Sequence, residues 1–473
     1  MNIEEFRQTA HEFVDWMADY LENIETYPVK SQVKPGEVMR KLPQQPPQQG
    51  EETGDIMRDF RSIILPGITH WQSPNFFAYF NANASYPSVL AEMLTATLGA
   101  QCMIWETSPA AAELEELMME WLKQMMGLPA DWHGVIHDTA SAATLIAILS
   151  AREKYSNFQV NEKGFGNYEN FRVYCSTETH SSIDKAVKIA GIGRANLVKV
   201  DVDDALRLKP HALQQAIEKD LAEGKRPLCA IATLGTTGTT AIDPVKEMAE
   251  ICRKYDLWLH VDAAHAGTAL VLPEYRWMME GAEMVDSFVF NPHKWMFTNF
   301  DCSAYFVKDK GQLIRTFEIL PEYLKTQSQG KVNDYRDWGI ALGRRFRALK
   351  LWFVIRNFGV EGIREKLRFH LSLAQGLKEQ IEAHPEFEIM APLTVNLVCF
   401  RYRPQGMEEG ETLNALNQQL NQKLNASGKI YLTHTKVRGQ YILRMVLGQT
   451  YLSREHVQKA WQRIQETAKT MRW

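Results

Sequence analysis

Residues 228–267 read LCAIATLGTTGTTAIDPVKEMAEICRKYDLWLHVDAAHAG. Two short apolar runs, 228–234 and 257–261, flank a segment that opens at Asp243-Pro244 and keeps a helical pattern to Tyr255. Asp243 suits a helix cap, and Pro244 suits a first turn, where no N–H is needed. Strand, helix and strand in so short a stretch make a βαβ unit, and the parallel strands it joins are covered by helices on both faces. The spacing predicts an α/β domain with a mostly parallel central sheet.

The same alternation runs from about Tyr86 to Phe358, which assigns residues 86–358 to one large domain. In residues 1–85, Phe6, Ala10, Phe13, Met17, Tyr20 and Leu21 recur at spacings of three and four, the mark of an amphipathic helix that ends before Pro28. KLPQQPPQQGEETG at 41–54 then reads as an extended connector, so this stretch is expected to be a helical arm. Residues 359–473 change character: strands at 395–401 and 441–446 and helices at 411–425 and 453–471 predict a small α+β domain.

Composition narrows the function. With 45% hydrophobic and 23% charged residues the 473-residue chain has ordinary globular usage. The net charge of −4 with scattered Lys and Arg lacks the basic stripe of a nucleic-acid binder. No run approaches the ~18 apolar residues of a membrane span, and Glu4 and Glu5 stand where a secretory peptide would be basic. The six cysteines are far apart and form no CxxC pair, so they read as reduced thiols of a cytoplasmic protein.

In open parallel sheets, ligands bind beyond the carboxyl ends of strands. The run 286–290 ends in Asn291-Pro292-His293-Lys294-Trp295, and a lysine right after a buried strand has its pKa drawn toward the free amine. Such an amine can form a Schiff base, although alone it reads more readily as an exposed loop lysine. The run 257–261 ends in Asp262. Alone, Asp262 reads as the cap of a turn before Gly267; beside Lys294 it completes the pair that pyridoxal phosphate needs, a carboxylate for the ring nitrogen and an amine for the aldehyde. Thr139, Ala140 and Ser141 open an apolar helix whose N–H groups and dipole suit a phosphate, as they would suit an ordinary cap. His180 follows the run 171–175, where an imidazole could stack on a pyridine ring. His133 and His137 read as turn and strand, a poor frame for a metal, and none is expected.

With NPHKW at 291–295 and VDAAHAG at 261–267, the chain resembles the group II pyridoxal-phosphate decarboxylases, most closely those acting on aromatic L-amino acids. The resemblance runs from the arm to at least Phe358. It implies the PLP-dependent transferase-like fold of aspartate aminotransferase type I and a cytoplasmic homodimer with shared active sites. It makes Lys294 the Schiff-base lysine, Asp262 the pyridinium partner and His180 the stacking histidine. It places Thr139, Ala140, Ser141, Asn291 and His293 at the phosphate and Thr237 beside the cofactor. It matches the region of Trp71, Tyr79 and Phe80 to the substrate pocket, and PEYLK at 321–325 to a catalytic loop in which Tyr323 protonates the substrate. Met103, with Gln101, stands where the family is more apolar, in a segment that serves the partner's pocket; Gly343 is expected to leave room for a bulky ring. His265 stands where the family often has tyrosine. The implied reaction is decarboxylation of an aromatic L-amino acid to its amine. A glutamate-type decarboxylase would need cations for a side-chain carboxylate, and an aromatic aldehyde synthase usually replaces the loop tyrosine by phenylalanine.

Overall fold

The computed structural model of the chain describes residues 1–168, 170–319 and 330–471. Its contacts group these residues into two units: residues 82–374 with 391–397, and residues 1–81 with 375–390 and 398–473.

The larger unit is built on seven strands. They are β1 (His133–His137), β2 (Phe171–Ser176), β3 (Leu197–Val200), β4 (Arg226–Thr233), β5 (Trp258–Asp262), β6 (Ser287–Phe290) and β7 (Ser303–Val307), in the order β1-β7-β6-β5-β4-β2-β3. From β6 to β3 every neighbouring pair is parallel. β7 alone runs the other way and pairs antiparallel with β1 and β6. β1 therefore points the same way as β6, and six carboxyl ends share one edge.

Alternation explains why both faces are covered. Ala230, Ala232, Leu259, Val261, Phe288 and Phe290 enter one apolar cluster, while Cys229, Ile231, Trp258 and Val289 enter another. Successive side chains on a strand point to opposite faces, so strands that are apolar throughout require a layer on each. The crossover helix is Val245–Lys254, and its cap differs from expectation. Asp243 caps nothing; its buried carboxylate accepts the N–H groups of Leu208 and Thr233, both at 2.8 Å. Burial pushes its pKa up to about 7.

In the other unit, β8 (Phe387–Ile389), β9 (Leu397–Tyr402), β10 (Thr433–Val437) and β11 (Gln440–Val446) form a sheet in the order β10-β11-β9-β8. Helices Glu411–Ala426 and Arg454–Lys469 accompany it, the second capped by the Ser453 hydroxyl. The first helix, Ile3–Glu22, starts in a capping box of Asn2 and Glu5 and has no buried residue of its own. No described helix is long and apolar enough to cross a membrane.

Candidate active site

Every strand end flagged in the sequence arrives at the shared edge of the seven-stranded sheet. Thr139 follows β1, His180 follows β2, Thr237 follows β4, Asp262 closes β5, and Asn291, His293 and Lys294 follow β6. Asp262 pairs with Val289 of β6 in register, so the carboxylate and the lysine come from adjacent strands.

Asp262 is 5% exposed, and burial raises its pKa against the opposing pull of Lys294 and His180. Burial lowers the Lys294 amine, and the Asp262 charge works the other way. Burial lowers His180 too, with Asp262 opposing. Asp262 thus acts on both Lys294 and His180, which is what a common site requires. Asp262 Oδ1 also accepts the Ala264 N–H at 3.1 Å, so this residue caps its own turn as well as facing the lysine. Gly267 closes that turn because a Cβ there would lie 2.6 Å from the Phe290 Cβ and 2.9 Å from that of Ala263.

The histidines are neutral donors. His180 Nδ1 accepts the Ser182 N–H at 3.1 Å, which leaves the proton of the neutral ring on Nε2. His293 is buried, its pKa drawn down to about 3 mainly by burial, and its Nδ1 accepts the Cys302 N–H at 2.9 Å. Its Nε2 is again the N–H.

Thr139 caps helix Ala140–Ser156 by accepting the Ala142 N–H at 3.2 Å. The N–H groups of a first helical turn have no intrahelical partner. Asn291 is buried, and its Oδ1 accepts the Ser303 hydroxyl at 2.7 Å, so what its amide offers a ligand is N–H. Ser303 also contacts the Asp138 carbonyl at 3.3 Å and so joins the ends of β1 and β6. It was not identifiable from sequence, because it begins the one reversed strand. His265 is buried, stacks on Trp295 at 5.4 Å and bonds Asn396 Oδ1 at 2.7 Å.

Met103 and Gly343 occupy neighbouring segments. Arg336 N–H reaches the Met103 carbonyl at 2.9 Å, Arg344 N–H reaches Gln101 Oε1 at 2.7 Å, and a buried Arg344–Glu115 ion pair at 2.6 Å fastens the join. A Cβ on Gly343 would meet only Gln101 Nε2, at 3.4 Å. Trp71, Tyr79 and Phe80 belong to the other unit. There Trp71 stacks on Tyr79 at 5.6 Å, the Tyr79 hydroxyl lies 3.2 Å from that of Tyr431, and Arg444 sits over Phe80. Tyr323 lies outside the described residues. Among the described residues no group of acids, histidines or cysteines could hold a metal ion.

The donor set fits pyridoxal phosphate. A buried carboxylate suits a protonated ring nitrogen, an amine whose pKa burial lowers suits an aldehyde, and N–H groups at a helix start and on Asn291 and His293 suit a dianion. The chain is 41% identical over 478 residues to tyrosine decarboxylase 2 of Narcissus pseudonarcissus, covering 99% of this chain and 95% of that one. It is 41% identical to a phenylacetaldehyde synthase of Arabidopsis thaliana, covering 99% and 96%. The structure of Oryza sativa TDC with PLP and tryptamine matches with a TM-score of 0.96 at 35% identity, over 99% of this chain and 98% of that one. Residues 35–403 match the model of the pyridoxal-dependent decarboxylase conserved domain. Sequence, fold and the Asp262–Lys294 pair agree, and the chain belongs to the pyridoxal-dependent decarboxylases.

Proposed function

We propose that this enzyme decarboxylates an aromatic L-amino acid to its amine and carbon dioxide. The observation that carries this reading is the placement of Asp262 and Lys294 on adjacent strand ends, in a chain whose relatives are named for tyrosine and tryptophan decarboxylation. Pyridoxal phosphate, when bound, supplies an electron sink for the pair left on the substrate's Cα as carbon dioxide departs. Lys294 would hold the cofactor covalently through its amine. Asp262 would keep the ring nitrogen protonated, and His180 would lie beside the ring. Thr139, Ala140, Ser141, Asn291 and His293 would hold the phosphate, and Thr237 would flank the ring. Trp71, Tyr79 and Phe80 are the proposed substrate-binding residues of one unit, and Met103 and Gly343 those of the other.

Tyr323 delivers the proton to Cα. General acid assistance of this kind is worth about 10²–10⁴-fold. Tyr323→Phe is therefore expected to lose amine formation by that order and, in air, to consume dioxygen and release the aldehyde, ammonia and hydrogen peroxide. An aerobic assay of amine and peroxide over a panel of aromatic amino acids reads both products. A variant that makes amine at the wild-type rate without peroxide removes Tyr323 from the chemistry, and a wild type that makes no amine from any of them removes the reading itself.

The working form is a cytoplasmic homodimer. Six free, buried cysteines suit a reducing compartment. Helix Tyr86–Leu98 exposes Tyr86, Leu90, Leu94 and Leu98 at intervals of four, and the first helix exposes Ile3, Phe6, Phe13 and Val14. A two-fold copy gives such stripes a burial surface. Sedimentation is expected to return the mass of two chains; the mass of one, with full activity, defeats the dimer.

A further inference from the structure

The segment Asn83-Ala84-Ser85 lies against the loop that carries Lys294. The Asn83 N–H donates to the His293 carbonyl at 3.2 Å, and its Nδ2 donates to the Lys294 carbonyl at 2.5 Å. Ser85 Oγ donates to the Phe297 carbonyl at 2.7 Å. Asn83 and Ser85 are each 1% exposed. Three hydrogen bonds thus bracket the lysine, one before it, one on it and one three residues after it.

The loop needs holding. Helix Pro292–Trp295 is a single turn, too short to satisfy its own carbonyls. Phe297, fully buried, sits at φ +56°, a conformation that a bulky L-residue keeps only where its surroundings over-determine it. The bracket itself stands on a firm base. Ser85 N–H donates to Ser88 Oγ at 3.0 Å, Ser88 Oγ donates back to the Ser85 carbonyl at 2.9 Å, and helix Tyr86–Leu98 starts at that point.

We propose that Asn83 and Ser85 are positioning residues for Lys294. They grip the main chain on both sides of it and hold its Cα in one place relative to the strand end of β6. The inference rests on the reading of Lys294 as the lysine that carries the cofactor. A lysine that carries a cofactor would need its amine held at a fixed place, so a wandering backbone would slow turnover while leaving substrate recognition intact.

The test uses purified holoenzyme with Asn83→Ala, Ser85→Ala and the double variant. Each single variant keeps two of the three bonds, so if one fails to fold the other still reports. Losing one ordinary hydrogen bond to the main chain around Lys294 is expected to lower kcat about tenfold, with KM within about twofold of wild type. The cofactor is expected to leave Asn83→Ala faster on dialysis, and the pH midpoint of its visible band is expected to shift. Variants that lose thermal stability but keep the wild-type kcat, dialysis rate and midpoint reduce the segment to packing and overturn the proposal. Borohydride tagging of the wild type separates this from the parent reading. A tag on another lysine removes the role of Lys294, whereas a tag on Lys294 with unchanged variants removes only the positioning role.

Discussion

Asp262→Asn is expected to lower kcat by about 10²–10³-fold, the cost of removing one preorganised electrostatic partner from a reacting centre. The substitution is chosen to separate two jobs that Asp262 performs at once. Its Oδ1 accepts the Ala264 N–H, and an asparagine oxygen accepts that bond equally well, so the turn before Gly267 keeps its cap. What asparagine lacks is the charge. Burial already raises the pKa of this carboxyl, so the ionised form is expensive until a cation faces it. A protonated ring nitrogen is such a cation; with a neutral amide there, the nitrogen loses its proton and the ring much of its pull. The measurement is kcat on the best aromatic substrate together with the melting temperature. A variant that melts lower yet turns over normally would show that Asp262 serves the turn alone.

The same residue shows why part of this site was legible in the sequence. An apolar run followed at once by Asp262, and another followed by Asn291-Pro292-His293-Lys294, mark strand ends, and strand ends of a parallel sheet share an edge. His180 and Thr139 were visible for the same reason. Asp243 was misjudged because Asp-Pro before a helix looks like a cap, whereas its carboxylate reaches Leu208, thirty-five residues away in sequence. Ser303 was hidden because β7 is buried on both faces, and a fully buried strand reads alike whichever way it runs. Only its antiparallel pairing with β1 and β6 brings its first residue to the site edge. Asn83 was hidden for another reason: its partner is a main-chain carbonyl, and a carbonyl carries no sequence signature.

Lys294→Ala is expected to cost more than any other single change, on the order of 10⁴-fold or greater. A tethered amine acts at an effective concentration of about 10⁵–10⁸ M, and that advantage disappears with it. Lys294→Arg sharpens the result. Arginine keeps a positive charge facing Asp262, but its guanidinium stays protonated and is no nucleophile. If Lys294 served only as a counter-charge for Asp262, arginine would retain most of the activity; if the free amine is what matters, arginine is as inactive as alanine. The structure favours the amine, since burial draws the Lys294 pKa down in spite of the carboxylate beside it. A small primary amine added to Lys294→Ala is expected to restore part of the lost rate, because it replaces the missing group without the tether. Borohydride treatment followed by peptide mass mapping completes the test: the tag is expected at residue 294 in the wild type and nowhere in either variant. Near-wild-type turnover in Lys294→Arg, or a tag on a different lysine, would transfer the covalent role elsewhere and leave Lys294 with a purely electrostatic part.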